Sequence, residues 1–171
     1  MLFKYFILWL NRSLFLFVLF LRQNLFAAMC LQPVAFAINV FGHYRWTHPR
    51  EGERSSKDSS SLKVSRMSRS QWILSLVVVS VTGALWALVL KRTSDPSPWL
   101  DSYVLALTFL AQYLSAQKKW ECWFVWLVVN VANIILYLRA GMYVMPVVSL
   151  LYLINGVWSL LNWRKLYASK S

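Results

Sequence analysis

Recurring stretches of about 20 residues that are apolar on every side constrain this chain more than any other feature it has. A helix in a soluble domain needs an apolar stripe on one side only, whereas a helix apolar all round and of that length matches the hydrocarbon core of a bilayer. Six such segments are read, at about 2–21, 26–46, 71–91, 99–116, 120–138 and 142–162. Of 171 residues, 58% are hydrophobic and 14% charged, with a mean hydropathy of +0.49, which excludes an ordinary soluble domain. The expected fold is all-α and integral to the membrane, with six transmembrane helices. The first segment runs on past Asn11, Arg12 and Ser13 to Leu21 without a small-x-small exit, so a retained span is expected rather than a cleaved leader. Arg12 near mid-span is costly in lipid; it snorkels, faces protein, or marks a chain whose true start lies upstream.

The separators are short and polar, except Thr47–Ser70, which is rich in Ser, Arg and Lys, has no apolar period and reads as a flexible solvated linker. The expected organisation is therefore two helices in 1–46, the linker at 47–70, a third helix in 71–92, and three helices with a short tail in 93–171.

A net charge of +12 invites a nucleic-acid reading, but the basic residues follow the loops rather than one folded surface. With the N-terminus, the linker, the turn after the fourth span and the tail on one side, that side holds thirteen of them: Lys4, Arg45, Arg50, Arg54, Lys57, Lys63, Arg66, Arg69, Lys118, Lys119, Arg164, Lys165 and Lys170. The other side holds Arg22, Lys91, Arg92 and Arg139. The positive-inside rule then places both termini in the cytoplasm, as an even number of spans requires, with the linker beside anionic lipid headgroups and no nucleic-acid partner.

Catalytic chemistry is thin. Cys30 and Cys122 give neither a disulfide framework nor a zinc site, His43 and His48 are wrongly spaced for two ligands on one helical face, and no phosphate loop or nucleophile elbow occurs. No enzyme, metal or cofactor is expected. The informative residues are polar and aromatic groups inside the spans, each of which must face protein or a water-filled hollow. Trp123, Trp126, Asn130, Asn133 and Tyr137 fall within roughly 80° on the fifth span. Asp101, Thr108, Gln112 and Ser115 fall within roughly 60° on the fourth. Gln32, Asn39 and His43 line the second, and Ser149, Tyr152, Gly156 and Trp163 the sixth. Singly such groups are interhelical glue, Gly83 and Gly156 are close-packing positions, and Trp46, Trp72, Trp99, Trp120 and Trp163 are interfacial anchors. Four polar stripes in one small bundle favour a cavity, and Trp126 beside Asn130 makes a stacking platform with carboxamides for a flat polar heterocycle.

A shift of 117 residues lays Trp9 on Trp126, Leu10 on Leu127, Phe20 on Tyr137, Leu21-Arg22 on Leu138-Arg139 and Phe26 on Tyr143. The first two spans thus pair with the last two, the fourth begins the second unit and the third connects them, an arrangement of parallel repeats with a site expected where the units meet. Pro33 and Pro146, each early in the last helix of its unit, are read as hinges.

The run Asp101…Ala111-Gln112…Lys118-Lys119…Glu121-Cys122-Trp123…Trp126…Asn130…Tyr137…Gly141…Tyr143…Tyr152…Gly156…Trp163-Arg164-Lys165 resembles the PnuC-type vitamin transporters, and Gly42-His43-Tyr44-Arg45-Trp46 looks like the end of that family's first repeat. The resemblance implies a SWEET-like fold of two three-helix repeats around a connecting helix, with the first helix of repeat one absent and a Cys122 where the family's pattern has Asn. It implies facilitated diffusion across an inner (cytoplasmic) membrane of a vitamin precursor, nicotinamide riboside foremost, with trapping by a separate kinase. Trp123, Trp126 and Asn130 would line the site, Gln112 would add a hydrogen bond, Tyr152 and Asn155 would contribute further, and no ion-coupling carboxylate would be buried beside them. The partners are this solute and membrane lipids, with homo-oligomerisation left open. The alternative is a truncated, non-transporting scaffold or assembly protein whose polar stripes are consumed by interhelical hydrogen bonds.

Overall fold

The computed structural model describes residues 2–22, 26–50, 52–53 and 62–168, apart from the side chains at 2–10, 12, 26–28 and 30–31. The readings made for Arg12, Cys30, Lys4 and Trp9 lie outside those described side chains.

Six helices run in the described residues: α1 (Leu2–Arg22), α2 (Phe26–Thr47), α3 (Arg69–Leu90), α4 (Pro98–Ala116), α5 (Cys122–Arg139) and α6 (Val144–Ala168). Their starts follow from local chemistry. α3 begins two residues earlier than expected because Ser68 and Gln71 form a capping box: the Gln71 amide donates to Ser68 Oγ at 3.3 Å and the Ser68 amide to Gln71 Oε1 at 2.9 Å. α4 opens on Pro98, whose missing N–H costs nothing in a first turn. α4 and α5 both end in a left-handed residue, Lys118 at φ 52° and Gly141 at φ 71°, after which the chain folds back so that the Lys119 amide reaches the Leu114 carbonyl and the Met142 amide the Tyr137 carbonyl. α6 runs to Ala168, beyond the expected end near 162, because Trp163-Arg164-Lys165 continue the helix past the apolar stretch.

α4 is the hub, packing against α2, α3 and α5, while α1 packs on α2 and α6 on α5. This position explains the residue types. α3, α5 and α6 are each long and apolar enough to cross a membrane, with mean hydropathies of 2.5, 1.6 and 1.8. α3 and α6 turn Ile73, Leu76, Val77, Val81, Leu85 and Leu88, and Val147, Leu150, Leu151, Ile154 and Trp158, outward, a surface that suits acyl chains rather than water. α4 buries Asp101, Ser102 and Thr108, polar groups tolerated because protein surrounds them.

Two expectations need correction. The end of the 47–70 linker is not solvated: Leu62, Val64 and Met67 are buried, the Ser65 amide donates to the Lys118 carbonyl at 3.2 Å, and the Met67 amide donates to the buried Glu121 carboxylate at 2.9 Å. A short apolar alternation within a Ser/Lys/Arg background was enough to cap one end of the bundle. Pro146 is the third residue of α6, where the missing N–H breaks no helical hydrogen bond, so only Pro33, inside α2, interrupts a helix.

Gly83 lets α3 approach α4 closely, since a Cβ there would stand 2.8 Å from the Tyr103 ring. Gly83→Leu is expected to cost about 1–3 kcal/mol through overpacking. A lowered unfolding temperature in detergent checks this, with outward-facing Val81→Leu unchanged.

Candidate functional site

The polar stripes of three helices converge on one hollow of about 60 Å³. α4 contributes Asp101 and Thr108, two turns apart on its inner face; α5 contributes Trp126, Asn133 and Tyr137; α2 contributes Gln32; and Phe20 closes the set from α1. Val104 and Leu105 complete the wall. The residues come together because α4 is antiparallel to α5 and packed between it and α2, so stripes separated by a hundred residues face one point.

Local bonds fix the walls. The Trp126 Nε1–H donates to Ser115 Oγ at 3.1 Å, which holds the indole across the inner side of the hollow. Thr108 donates to the Val104 carbonyl, leaving its oxygen on the helix surface as an acceptor. Asn130 donates to the Trp126 carbonyl at 2.8 Å and is buried. On a helical wheel Trp126, Asn133 and Tyr137 lie within roughly 40°, whereas Trp123 and Asn130 lie roughly 40–60° to one side of Trp126. Trp123 accordingly turns toward α6 and meets the Trp163 ring edge-on, centroids 5.4 Å apart.

Of the six expected site residues, the structure places Trp126 in the hollow. Trp123 and Asn130 flank it on α5, and Gln112 is half-buried one turn beyond Thr108 on α4. Tyr152 and Asn155 are on exposed parts of α6, Tyr152 at 44%. Gln32, Thr108, Asn133 and Tyr137, noted as stripe members but not as site residues, line the hollow directly. Phe20 was visible only as the repeat equivalent of Tyr137. Asp101, noted as a stripe member but not as a site residue, is 1% exposed and lines the hollow as well.

Two aromatic contacts bracket the hollow. Near the α1–α2 and α5–α6 turns, Phe20 stacks on Tyr137, centroids 5.9 Å apart and planes 9° from parallel. At the opposite end Trp46 meets Trp163 at 5.8 Å, and the Trp46 Nε1–H is shared between the Ser115 and Ala116 carbonyls. Trp46 and Trp163, expected as interfacial anchors, thus turn toward each other. The volume suffices for a few waters, well short of the about 300–1,000 Å³ typical of a small-molecule pocket.

A larger groove of about 720 Å³ lies between α2, α3 and α4, walled by Val34, Leu74, Val78, Phe109 and Leu110. Two of its hydroxyls are spent on their own helices, Thr82 on the Val78 carbonyl and Ser102 on the Pro98 carbonyl, and its wall is mostly apolar, so it suits acyl chains.

The family described as nicotinamide mononucleotide transporter matches residues 3–165. The nicotinamide riboside transporter PnuC of Escherichia coli (strain K12) is 26% identical over 176 residues, covering 88% of this chain and 70% of the relative. PnuC of Neisseria mucosa is 28% identical over 152 residues, covering 84% of this chain and 57% of the relative. The riboflavin/roseoflavin transporter RibM of Streptomyces davaonensis is 25% identical over 134 residues, covering 77% of this chain and 61% of the relative. A crystal structure of the vitamin B3 transporter PnuC superposes with a TM-score of 0.73 over 93% of this chain and 70% of that one, at 23% identity, which shows the same fold. With a match across nearly its whole length and a common fold, the chain belongs to the nicotinamide mononucleotide transporter family.

Proposed function

We propose that the chain carries a vitamin nucleoside, nicotinamide riboside foremost, down its gradient across a cytoplasmic membrane with both termini inside. The observation that carries this reading is a hollow lined by indole, carboxamide and phenol groups at the centre of a bundle whose outer surface is apolar. The relatives named for nicotinamide riboside and for riboflavin support a vitamin of this kind as the solute.

The roles follow from the chemistry. Trp126 offers a ring face for stacking, Asn133 and Gln32 offer carboxamides for a carboxamide or ribose hydroxyls, and Trp123, Asn130 and Gln112, on neighbouring positions of the same helices, come within reach as the inner end opens. Tyr152 and Asn155 join only if α6 rotates about α5.

The movement we infer is a rocking of α1–α2 against α4–α5–α6, and the internal repeat supports it. Under the 117-residue shift, Phe20 is equivalent to Tyr137 and Trp46 to Trp163, and each residue touches its own equivalent. Equivalent residues meet only near an axis relating the two units, so these contacts support a pseudo-twofold axis passing through both pairs with the hollow between them. Buried Gln32 and Gly42 in α2 likewise fall on buried Ser149 and Ser159 in α6. Parting one aromatic pair while the other holds would open the hollow to one side at a time, with Pro33 as the flexible point in α2. This keeps the parallel, SWEET-like arrangement of an incomplete first repeat (1–46), the linker (47–70), a connecting helix (71–92) and a complete second repeat (93–171).

The test is uptake of labelled nicotinamide riboside, thiamine and riboflavin by liposomes holding the purified protein. Saturable flux of at least one is expected. Rates equal to protein-free liposomes for all three would favour the non-transporting scaffold.

A further inference from the structure

α2 and α3 both pack on α4 but scarcely meet each other, which leaves the groove of about 720 Å³ between them. Its α3 wall runs from Leu74 to Trp86 and its α4 wall from Tyr113 back to Ser102, about 17 Å at the helical rise, close to the depth of one leaflet of a core about 30 Å thick. The hydroxyls along it are not used alike. Midway and at the Ser102 end, Thr82 and Ser102 are spent on their own helices. At the other end Ser75 and Tyr113 keep hydroxyls with no protein partner among the described residues, and Tyr113 is 56% exposed. Beyond that end the chain gathers cations. Arg69 opens α3, and the segment before it reaches the α4–α5 turn, where the Lys119 Nζ donates to the Arg66 carbonyl at 2.9 Å. The carboxylate set among Arg66, Arg69 and Lys119 is Glu121, which is buried and lies 3.8 Å from the Arg66 Nε.

We propose that this groove holds one anionic glycerophospholipid from the leaflet on the linker side, with an acyl chain along the α3–α4 wall, ester carbonyls accepting from Tyr113 and Ser75, and the phosphate level with Arg66, Arg69 and Lys119. The order of chemistry along the groove, apolar, then hydroxyl, then cation, is the order of tail, ester and headgroup in such a lipid. A transmembrane helix, from a second copy or another protein, matches that order less well: its backbone carbonyls are satisfied within the helix, so it brings no acceptors for the two hydroxyls. An excess of basic over acidic side chains at the mouth favours a headgroup with net negative charge over a zwitterionic one. The site faces the membrane, apart from the hollow, and is independent of which solute the chain carries.

Native mass spectrometry of the purified protein, supplied in detergent with equal amounts of dioleoyl phosphatidylglycerol and dioleoyl phosphatidylcholine, tests this. Wild type is expected to retain one phosphatidylglycerol per protomer, about fivefold or more in preference to phosphatidylcholine. Arg66→Gln/Arg69→Gln is expected to bring that preference close to one. Val78→Trp, at a half-exposed position in the groove wall, is expected to abolish retention of both lipids, with outward-facing Val147→Trp on α6 unchanged. Equal retention of the two lipids by wild type would overturn the proposal, and so would undiminished phosphatidylglycerol on Val78→Trp. Displacement of the lipid by glycerol phosphate at the same concentration would overturn it in favour of a headgroup site without a tail. A lipid-free dimer that Val78→Trp splits would give the groove to a second copy instead. The wild-type preference needs no variant, so poor folding of either one does not shield the proposal.

Discussion

Liposomes carrying Trp126→Ala are expected to take up nicotinamide riboside at the rate of empty liposomes, with the protein still inserted and monodisperse. Trp126 supplies the broadest apolar face in the hollow, and its N–H is tied to Ser115 Oγ, so the ring is set in place before solute arrives. Removing a buried stacking face of that size costs about 2–3 kcal/mol, roughly 30- to 150-fold in affinity at low solute concentration. Trp126→Phe keeps a ring but loses the anchor, and is expected to fall between the two. Wild-type flux in Trp126→Ala would move the site elsewhere.

Cross-linking either aromatic pair is expected to stop transport altogether. With Cys30 and Cys122 replaced by serine, Phe20→Cys/Tyr137→Cys ties α1 to α5 at one end and Trp46→Cys/Trp163→Cys ties α2 to α6 at the other. The parent rings lie 5.9 and 5.8 Å apart, within reach of a short bifunctional thiol reagent. If the ends part alternately, each link alone arrests flux, and reduction of a disulfide-containing linker restores it. The single-cysteine controls should keep transporting after the same treatment. Undiminished flux with either pair fully linked would rule out rocking about the shared axis.

The spans were readable because lipid-facing helices such as α3 and α6 must be apolar nearly all round, a pattern that needs no knowledge of neighbours. Which face of a polar span turns inward was also readable for α4 and α5, from the angular grouping of Asp101 with Thr108 and of Trp126 with Asn133 and Tyr137. What lay beyond the sequence depended on which helix touches which. Tyr152 and Asn155 share α6 with the buried Ser149 and Gly156, but α6 lies along α5 and meets α2 only through Trp163 near its end among the described residues, so those side chains stand outside. Trp46 and Trp163 singly resemble interfacial anchors; their separation of 117, the shift of the proposed repeat, is the one sequence signal that links them. Asp101 lies three residues into its helix, where a carboxylate usually meets headgroups, and only packing of α1, α2 and α5 around α4 reveals that it is enclosed. Leu62, Val64 and Met67 were too few and too short a pattern to stand out from the basic, serine-rich segment that holds them.

The central claim is that the solute passes through the hollow between α2, α4 and α5, and thiol access at its wall tests this most directly. Asn133→Cys, in the background lacking Cys30 and Cys122, is reconstituted and treated with a small membrane-impermeant thiosulfonate. The account predicts that modification blocks flux and that saturating nicotinamide riboside slows the modification several-fold. Modification at the same rate with and without solute, with flux intact afterwards, would contradict it.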